Sequence, residues 1–280
     1  MKKFLAVVMT AVLAMSMMTA CGSSKSSEEN KDTTAAKAET TKASGVTLVS
    51  DGVLTVGAEM GYAPFETLQK DGKTPEGFDI DIITEIAKRL GLKVNFINTS
   101  FDGILGKIGK DYDVVCSAVT INPTRKKAVL LATPYITNYQ TVVVKKGSDL
   151  KINSLKDLDG KSVGVQKGTT SDQLMSEYKS TKTINVEVAA NDKLLNCFTQ
   201  LTNGEIDAVV VDSTVADGFV AKNPDKYEKA FSDKTEPEEF GIAIGKNNAK
   251  LQEAINKALE QMDKDGFLKD TADYWFSSQE

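Results

Sequence analysis

Residues 53–91 read VLTVGAEMGYAPFETLQKDGKTPEGFDIDIITEIAKRLG. The run VLTVGA (53–58) is apolar, rich in β-branched residues and of strand length, whereas Asp79 to Leu90 places Ile82, Ile83, Ile86, Ala87 and Leu90 on one helical face. Gly91 follows as a C-terminal stop. A strand answered by an amphipathic helix is the unit of an α/β fold. The alternation continues outward from this stretch. KVNFI and DVVCSAV predict strands on either side of a short helix near Ile104. A second series follows: TVVVK (141–145), SVGVQ (162–166), a helix from Ser171, NVEVA (185–189), a helix from Asn191 stopped at Gly204, and DAVVV (207–211). GIAIG (241–245) predicts one more strand, and Leu251, Ile255, Leu259 and Met262 line a long final helix. The chain therefore reads as two α/β units in succession, without a short repeat.

Composition narrows the chemistry. The chain has 280 residues, 41% hydrophobic and 26% charged, enough for about two domains. Histidine is absent, which excludes Ser-His-Asp and Cys-His catalysis and every His-ligated metal site. The three cysteines, Cys21, Cys116 and Cys197, form no C-x-x-C pair, so neither a thiolate zinc site nor a disulfide framework is expected. Cys116 falls in a strand and Cys197 on the inner face of a helix beside Leu194, Leu195, Phe198 and Leu201, where both read as buried free thiols. No metal or other cofactor is called for. The net charge of -5, with no basic block, argues against a nucleic-acid surface.

The N-terminus addresses the compartment. Lys2 and Lys3 precede an apolar run from Phe4 to Ala20 that is shorter than the roughly 20 residues needed to span a bilayer. Residues 1–20 thus read as a secretory signal peptide. After Cys21, residues 22–45 contain no Val, Ile, Leu, Met or aromatic residue and can form no core, so 21–45 is a flexible linker. The signal ends in MTAC, which resembles a bacterial lipoprotein processing box and implies a lipid on Cys21, with palmitate among its acyl chains; plain cleavage near Ala20 is the alternative.

In open α/β sheets ligands bind beyond the carboxyl ends of the strands. Glu59 follows VLTVGA; Ser117 to Thr120, then Arg125, follow DVVC; Lys167-Gly168-Thr169-Thr170 follow SVGVQ; and Asp212 follows DAVVV. Each taken singly has an ordinary structural reading. Arg125 could be a solvated charge, Asp212 a helix N-cap, the Gly168 turn a strand terminator, and Tyr62 and Phe101 core aromatics. Together their chemistry is consistent. A guanidinium and a glycine turn feeding a helix N-terminus suit a carboxylate, and Asp212 suits an ammonium, as a free α-amino acid requires. No nucleophile stands with an obvious base.

The ordered motifs LTVGAEMGYAPFE, GFDIDIITEIAKRLG, SFDGILGKIGKDYDVVCSAVTINPTRKKAV, LKDLDGKSVGVQKGTT and EIDAVVVD resemble those of bacterial extracellular solute-binding proteins of the polar amino-acid type, family 3, which serve ABC importers. The resemblance implies a two-lobed α/β periplasmic-binding-protein fold of type II with two hinge strands. Lobe 1 would comprise 46–137 plus 239–280, and lobe 2 would comprise 138–238. Within SAVTINPTR, Arg125 matches the carboxylate clamp and Thr120 its hydroxyl partner. Thr170, beside Thr169, completes that site from the other lobe, and Asp212 matches the ammonium acceptor. Tyr62 and Phe101 match the aromatics flanking the ligand side chain, with Ser117 and Ala118 giving backbone or hydroxyl contacts. Asn122 and Thr124 stand where Thr and Glu are common, and Ala118 where Gly or Ser is frequent. Glu59 suggests a cationic ligand, arginine or lysine first; Gln166 and Val211 suit glutamine or cystine next.

The implied partners are an amino acid, the permease subunits of an ABC transporter and, through the lipid, the membrane. The protein is expected to be an extracytoplasmic, lipid-anchored monomer and not an enzyme. A dehydratase-like enzyme on this fold would need an acid and a base, of which Glu59 supplies one. An amino-acid sensor would need a membrane span or signalling module after DYWFSSQE. A phosphate or phosphonate receptor is disfavoured because Asp212 would repel a dianion.

Overall fold

In the computed structural model the structure describes residues 46–276. The signal peptide (1–20), the lipidation site Cys21 and the linker to residue 45 lie outside the described residues.

In chain order the strands are β1 (Val53–Ala58), β2 (Thr67–Leu68), β3 (Pro75–Glu76), β4 (Lys93–Asn98), β5 (Val114–Val115), β6 (Leu130–Leu131), β7 (Ile136–Lys145), β8 (Ser162–Gln166), β9 (Glu187–Asn191), β10 (Ala208–Asp212), β11 (Tyr227–Phe240) and β12 (Ala243–Ile244). The helices are α1 (Phe78–Arg89), α2 (Pro123–Ala128), α3 (Thr170–Ser180), α4 (Leu194–Asn203), α5 (Ser213–Lys222), α6 (Ala249–Lys264) and α7 (Phe267–Phe276). One five-stranded sheet has the order β4-β1-β5-β12-β6 and the other β11-β7-β10-β8-β9. β1 runs parallel to β4 and β5, and β8 runs parallel to β9 and β10, as strand–helix–strand crossovers require.

Packing follows the sequence pattern. Ile82, Ile83, Ile86, Ala87 and Leu90 of the α1 segment are all buried, and so are Leu251, Ile255, Leu259 and Met262 of α6. Each of these Ile, Leu and Met side chains contributes about 1.5–3 kcal/mol on burial. Gly57 in β1 faces the ring of Tyr112, which an added Cβ would meet at 2.6 Å. Around the second sheet, Val142, Val144, Leu158, Val163, Val165 and Met175 form a separate core. Cys116 and Cys197 are buried free thiols. Leu195, placed beside Cys197 in the sequence reading, is instead 63% exposed, because one residue along α4 turns it away from the Leu194–Cys197–Phe198–Leu201 face.

Several element bounds differ from the reading. DVVCSAV forms a strand only at Val114–Val115, because the chain turns out of the sheet at Cys116–Val119 and Ala118 takes a left-handed conformation with φ 47°. TVVVK is the second half of a ten-residue strand, β7. NVEVA pairs two residues later, with Ser162 opposite Glu187. The longest elements that were not anticipated are the fourteen-residue β11 and the last helix, α7; the two-residue strands β2, β3 and β6 were not anticipated either. β7 and β11 run antiparallel, with Ile136 opposite Phe240, Thr137 opposite Glu239 and Asn138 opposite Glu238, followed by a register shift before Gln140 opposite Asp233. Phe240 also bridges Thr120, so this ribbon leads from the second sheet to the first.

Candidate functional site

The carboxyl ends of β1, β5, β8 and β10 converge on one small cavity. Tyr62, Phe101, Ser117, Ala118, Thr120, Arg125, Gln166, Thr169, Thr170 and Asp212 line it. Of the sequence-predicted residues, Glu59 and Val211 are not in that lining; Glu59 sits behind Gln166, whose Nε2 donates to its Oε2 at 2.5 Å. The free volume is about 10 Å³, room for about one water and far below the roughly 300 Å³ at which ligand pockets begin. Entry of an amino acid therefore requires the walls to separate.

Arg125 lies on α2, which Asn122 caps by accepting the Arg125 N–H at 2.8 Å, with Pro123 in the first turn. This cap turns the Arg125 side chain inward, where it is 6% exposed. Its guanidinium donates to the Thr120 carbonyl at 3.0 Å and across the cavity to the Gly168 carbonyl at 3.2 Å. It also stands 5.5 Å from the centre of the Phe101 ring. Burial lowers its pKa, while Asp212, Glu238 and Tyr62 oppose that shift. Gly168 has φ 76°, and a Cβ there would meet the Asp102 backbone at 3.3 Å, so glycine lets this turn approach the opposite wall.

Asp212 occupies the N-cap position of α5 but makes no capping hydrogen bond. Its carboxylate faces the cavity instead. The Tyr62 hydroxyl donates to Oδ2, and Asn138 Nδ2 donates to Oδ1 at 2.6 Å, with Gln140 Nε2 at 3.4 Å. Burial, followed by repulsion from Glu238, pushes its pKa up to about 7. Tyr62 is itself held protonated by burial and by Asp212.

The hydroxyls expected to flank a carboxylate do so here for a carboxylate of the chain. Thr120 Oγ1 donates to Glu238 Oε2 at 3.0 Å and Thr170 Oγ1 to the same oxygen at 2.9 Å. Gln140 Nε2 reaches Glu238 Oε1 at 3.1 Å, and Ser171 Oγ fixes Gln140 by donating to its Oε1 at 2.6 Å. Thr169 caps α3, accepting from the Asp172 N–H at 3.2 Å. Ser117 Oγ accepts the Glu59 N–H at 3.1 Å and donates to Glu66 Oε1 at 2.6 Å. Its hydroxyl is thus spent inside the protein. Ala118 N donates to Asp79 Oδ2 at 2.7 Å, which holds the left-handed residue in place at a typical strain of about 1–3 kcal/mol. Burial pushes Asp79 up to about 6 and also raises Glu66, the latter with repulsion from Asp79.

Sequence reasoning missed Asn138, Gln140, Glu238 and Lys193. Lys193 Nζ bonds Glu59 Oε1 at 2.6 Å, so Glu59 is not the uncompensated anion from which a cationic ligand was expected. Asn138 and Gln140 carried a signal: two amides alternating along one face of an apolar strand, both buried. Lys193 and Glu238 carried none. Among the described residues no group of His, Cys, Asp or Glu could hold a metal ion, and no helix is long and apolar enough to cross a membrane. The arrangement offers one guanidinium, one carboxylate with adjustable protonation and a set of hydroxyl and amide donors. It can bind a small zwitterion.

Comparison with known proteins gives the same direction. Residues 54–278 match the model of bacterial extracellular solute-binding proteins, family 3. The L-cystine-binding protein TcyJ of Escherichia coli strain K12 is 35% identical over 231 residues, covering 81% of this chain and 84% of that protein. An ancestral arginine-binding protein bound to arginine superposes with a TM-score of 0.76 at 42% identity, over 80% of this chain and 98% of that one. An ancestral amino acid-binding protein, AncCDT-1, described as a precursor of cyclohexadienyl dehydratase, gives a TM-score of 0.73 at 36% identity, over 80% and 96%.

Proposed function

The chain belongs to the bacterial extracellular solute-binding proteins of family 3, and from that premise we propose that it captures a free α-amino acid in the cavity between its two sheets and delivers it to an ABC importer. The observation that carries the reading is the convergence of Arg125, on the first-sheet side, and Asp212, at the end of β10, on one enclosed space. Arg125 with Thr120, Thr169 and Thr170 would hold the α-carboxylate, and Asp212 the ammonium; Tyr62 and Phe101 would flank the side chain, with Ser117 and Ala118 contributing backbone groups. A ligand joining both walls favours the closed state by differential contact, which is what an importer can recognise.

The lobes are taken as 46–137 plus 239–280 and 138–238. Support comes from the ribbon, where Thr137 pairs with Glu239 and Asn138 with Glu238, so both crossings fall at one level. The relatives bind cystine or arginine, and a polar α-amino acid of that kind is the proposed ligand. The protein acts as a monomeric receptor and not as a catalyst. Sustained turnover of a prephenate-type acid would favour the dehydratase reading. The sequence MTAC supports a signal peptide over 1–20 and a lipid on Cys21 that tethers the receptor outside the cell membrane. Cys21→Ser should release the protein from the membrane fraction or block its processing; unchanged membrane association with unchanged processing removes the anchor.

A thermal-shift panel of the twenty amino acids with cystine and ornithine tests the function. A true ligand at a hundredfold excess over its Kd stabilises by about 2.7 kcal/mol. A panel without any shift contradicts the reading.

A further inference from the structure

Behind Gln166, just outside the lining of the cavity, stands an ion pair that the Arg125–Asp212 site does not use. Glu59 follows β1 and is 2% exposed. Both of its oxygens are engaged from the opposite wall: Oε2 by Gln166 Nε2 at 2.5 Å and Oε1 by Lys193 Nζ at 2.6 Å. Lys193 stands at the start of α4, with its side chain 46% exposed. The neighbouring charges are themselves paired, since Asp192 bonds Lys167 at 2.7 Å. Gln166 links this pair to the cavity, because it lines the space with Tyr62 and Phe101 while its Nε2 also reaches the Asp192 carbonyl at 3.3 Å.

The charges of Glu59 and Lys193 cancel, so the subsite is a dipole rather than an anionic pocket. A cationic side chain arriving there must displace an ammonium already 2.6 Å from the carboxylate. A group that carries both charges extends the arrangement instead. Its ammonium takes a remaining lone pair of Glu59, and its carboxylate takes the remaining N–H donors of Lys193.

We propose that Lys193 determines side-chain selectivity: by neutralising Glu59 it makes the far subsite accept a second α-amino-acid head, so that the preferred ligand is a bis-amino acid with two zwitterionic ends rather than a basic amino acid. This rests on the α-amino-acid reading of the Arg125–Asp212 site. Lys193 acts on the ligand directly and, through Glu59, on the competing cation.

Calorimetric titration of the wild-type protein, Lys193→Met and Lys193→Arg with L-cystine and with L-arginine tests it. The wild type should bind cystine at least about tenfold more tightly than arginine, a difference of about 1.4 kcal/mol. Lys193→Met should weaken cystine by about tenfold or more and strengthen arginine, reversing the order, whereas Lys193→Arg should keep it. A purely structural role for Lys193 would lower both affinities together and leave their ratio unmoved. Tighter wild-type binding of arginine, or a cystine-to-arginine ratio that Lys193→Met changes by less than about threefold, overturns the proposal. Failure of every amino acid to bind the wild type is a distinct result and removes the underlying α-amino-acid reading.

Discussion

Lowering the pH from about 7 to about 5 should weaken amino-acid binding by roughly 50-fold, and the cause is a single carboxyl group. Burial and the neighbouring Glu238 push Asp212 up to about 7 in the ligand-free protein. An ammonium pairs with the ionised form only, so binding below that pH must expel a proton. The affinity penalty is one plus ten raised to the difference between pKa and pH, which is about 100 at pH 5 and about 2 at pH 7. The ligand's own α-carboxyl and α-amino groups do not titrate inside this window. The sign for stability is opposite. An acid whose folded pKa is raised keeps its proton longer when folded, so the ligand-free protein loses stability as pH rises from about 4 through about 7. Calorimetry over this range, in two buffers of different ionisation enthalpy, reads both the affinity and the released proton. Asp212→Asn should bind more weakly by about 2–5 kcal/mol at neutral pH and show a flat profile. Glu238→Gln should move the wild-type midpoint to lower pH, since it removes the repulsion. An affinity that changes less than about threefold between pH 5 and 7, or the same slope in Asp212→Asn, would show that Asp212 does not set the pH dependence of binding.

Two further outcomes follow from the same structure. Arg125→Ala should lose roughly 30-fold to several-thousand-fold in affinity while keeping its fold, because it removes the one buried cation of the zwitterion site; binding within about threefold of the parent would show that Arg125 does not hold the carboxylate. Gly77→Ala should destabilise by at least about 2 kcal/mol, read as a Tm lower by roughly 5 °C, since φ there is 139° and the new Cβ would lie 2.1 Å from the Phe65 carbonyl oxygen; an unchanged melting curve would contradict this.

Most of the cavity lining was legible because its residues follow apolar strands, where the α/β topology opens a crevice. Asp212 ends β10 and the Gly168 turn with Thr170 follows β8 directly, whereas Arg125 comes ten residues after β5, on α2. Asp212 also shows why an N-cap position and a cavity-lining position need not exclude each other: the residue precedes α5, yet its carboxylate turns to the cavity. The half that was not legible depends on long-range pairing. Lys193 meets Glu59 across 134 positions of sequence, and nothing local distinguishes it from any lysine at a helix start. β11 reads YEKAFSDKTEPEEF, whose mostly polar side chains lie at the edge of the second sheet, so no apolar alternation marked it as a strand. Glu238, two residues from its end, therefore looked like part of a solvated charge run. The shortened β5 has a related cause. The Cys116–Val119 segment is apolar enough for a strand, but Asp79 holds Ala118 out of the ladder by accepting its N–H.

In the proposed function one cavity grips both α-groups of a free amino acid. Calorimetric titration of the wild-type protein with an amino acid that the thermal panel identifies, alongside its α-amide and its N-acetyl derivative, tests this two-ended grip. Each derivative removes one charge, leaving either Arg125 or Asp212 buried against a neutral group, and each should bind at least about 100-fold more weakly than the parent amino acid. Binding of either derivative within about tenfold of the parent would contradict the two-ended clamp.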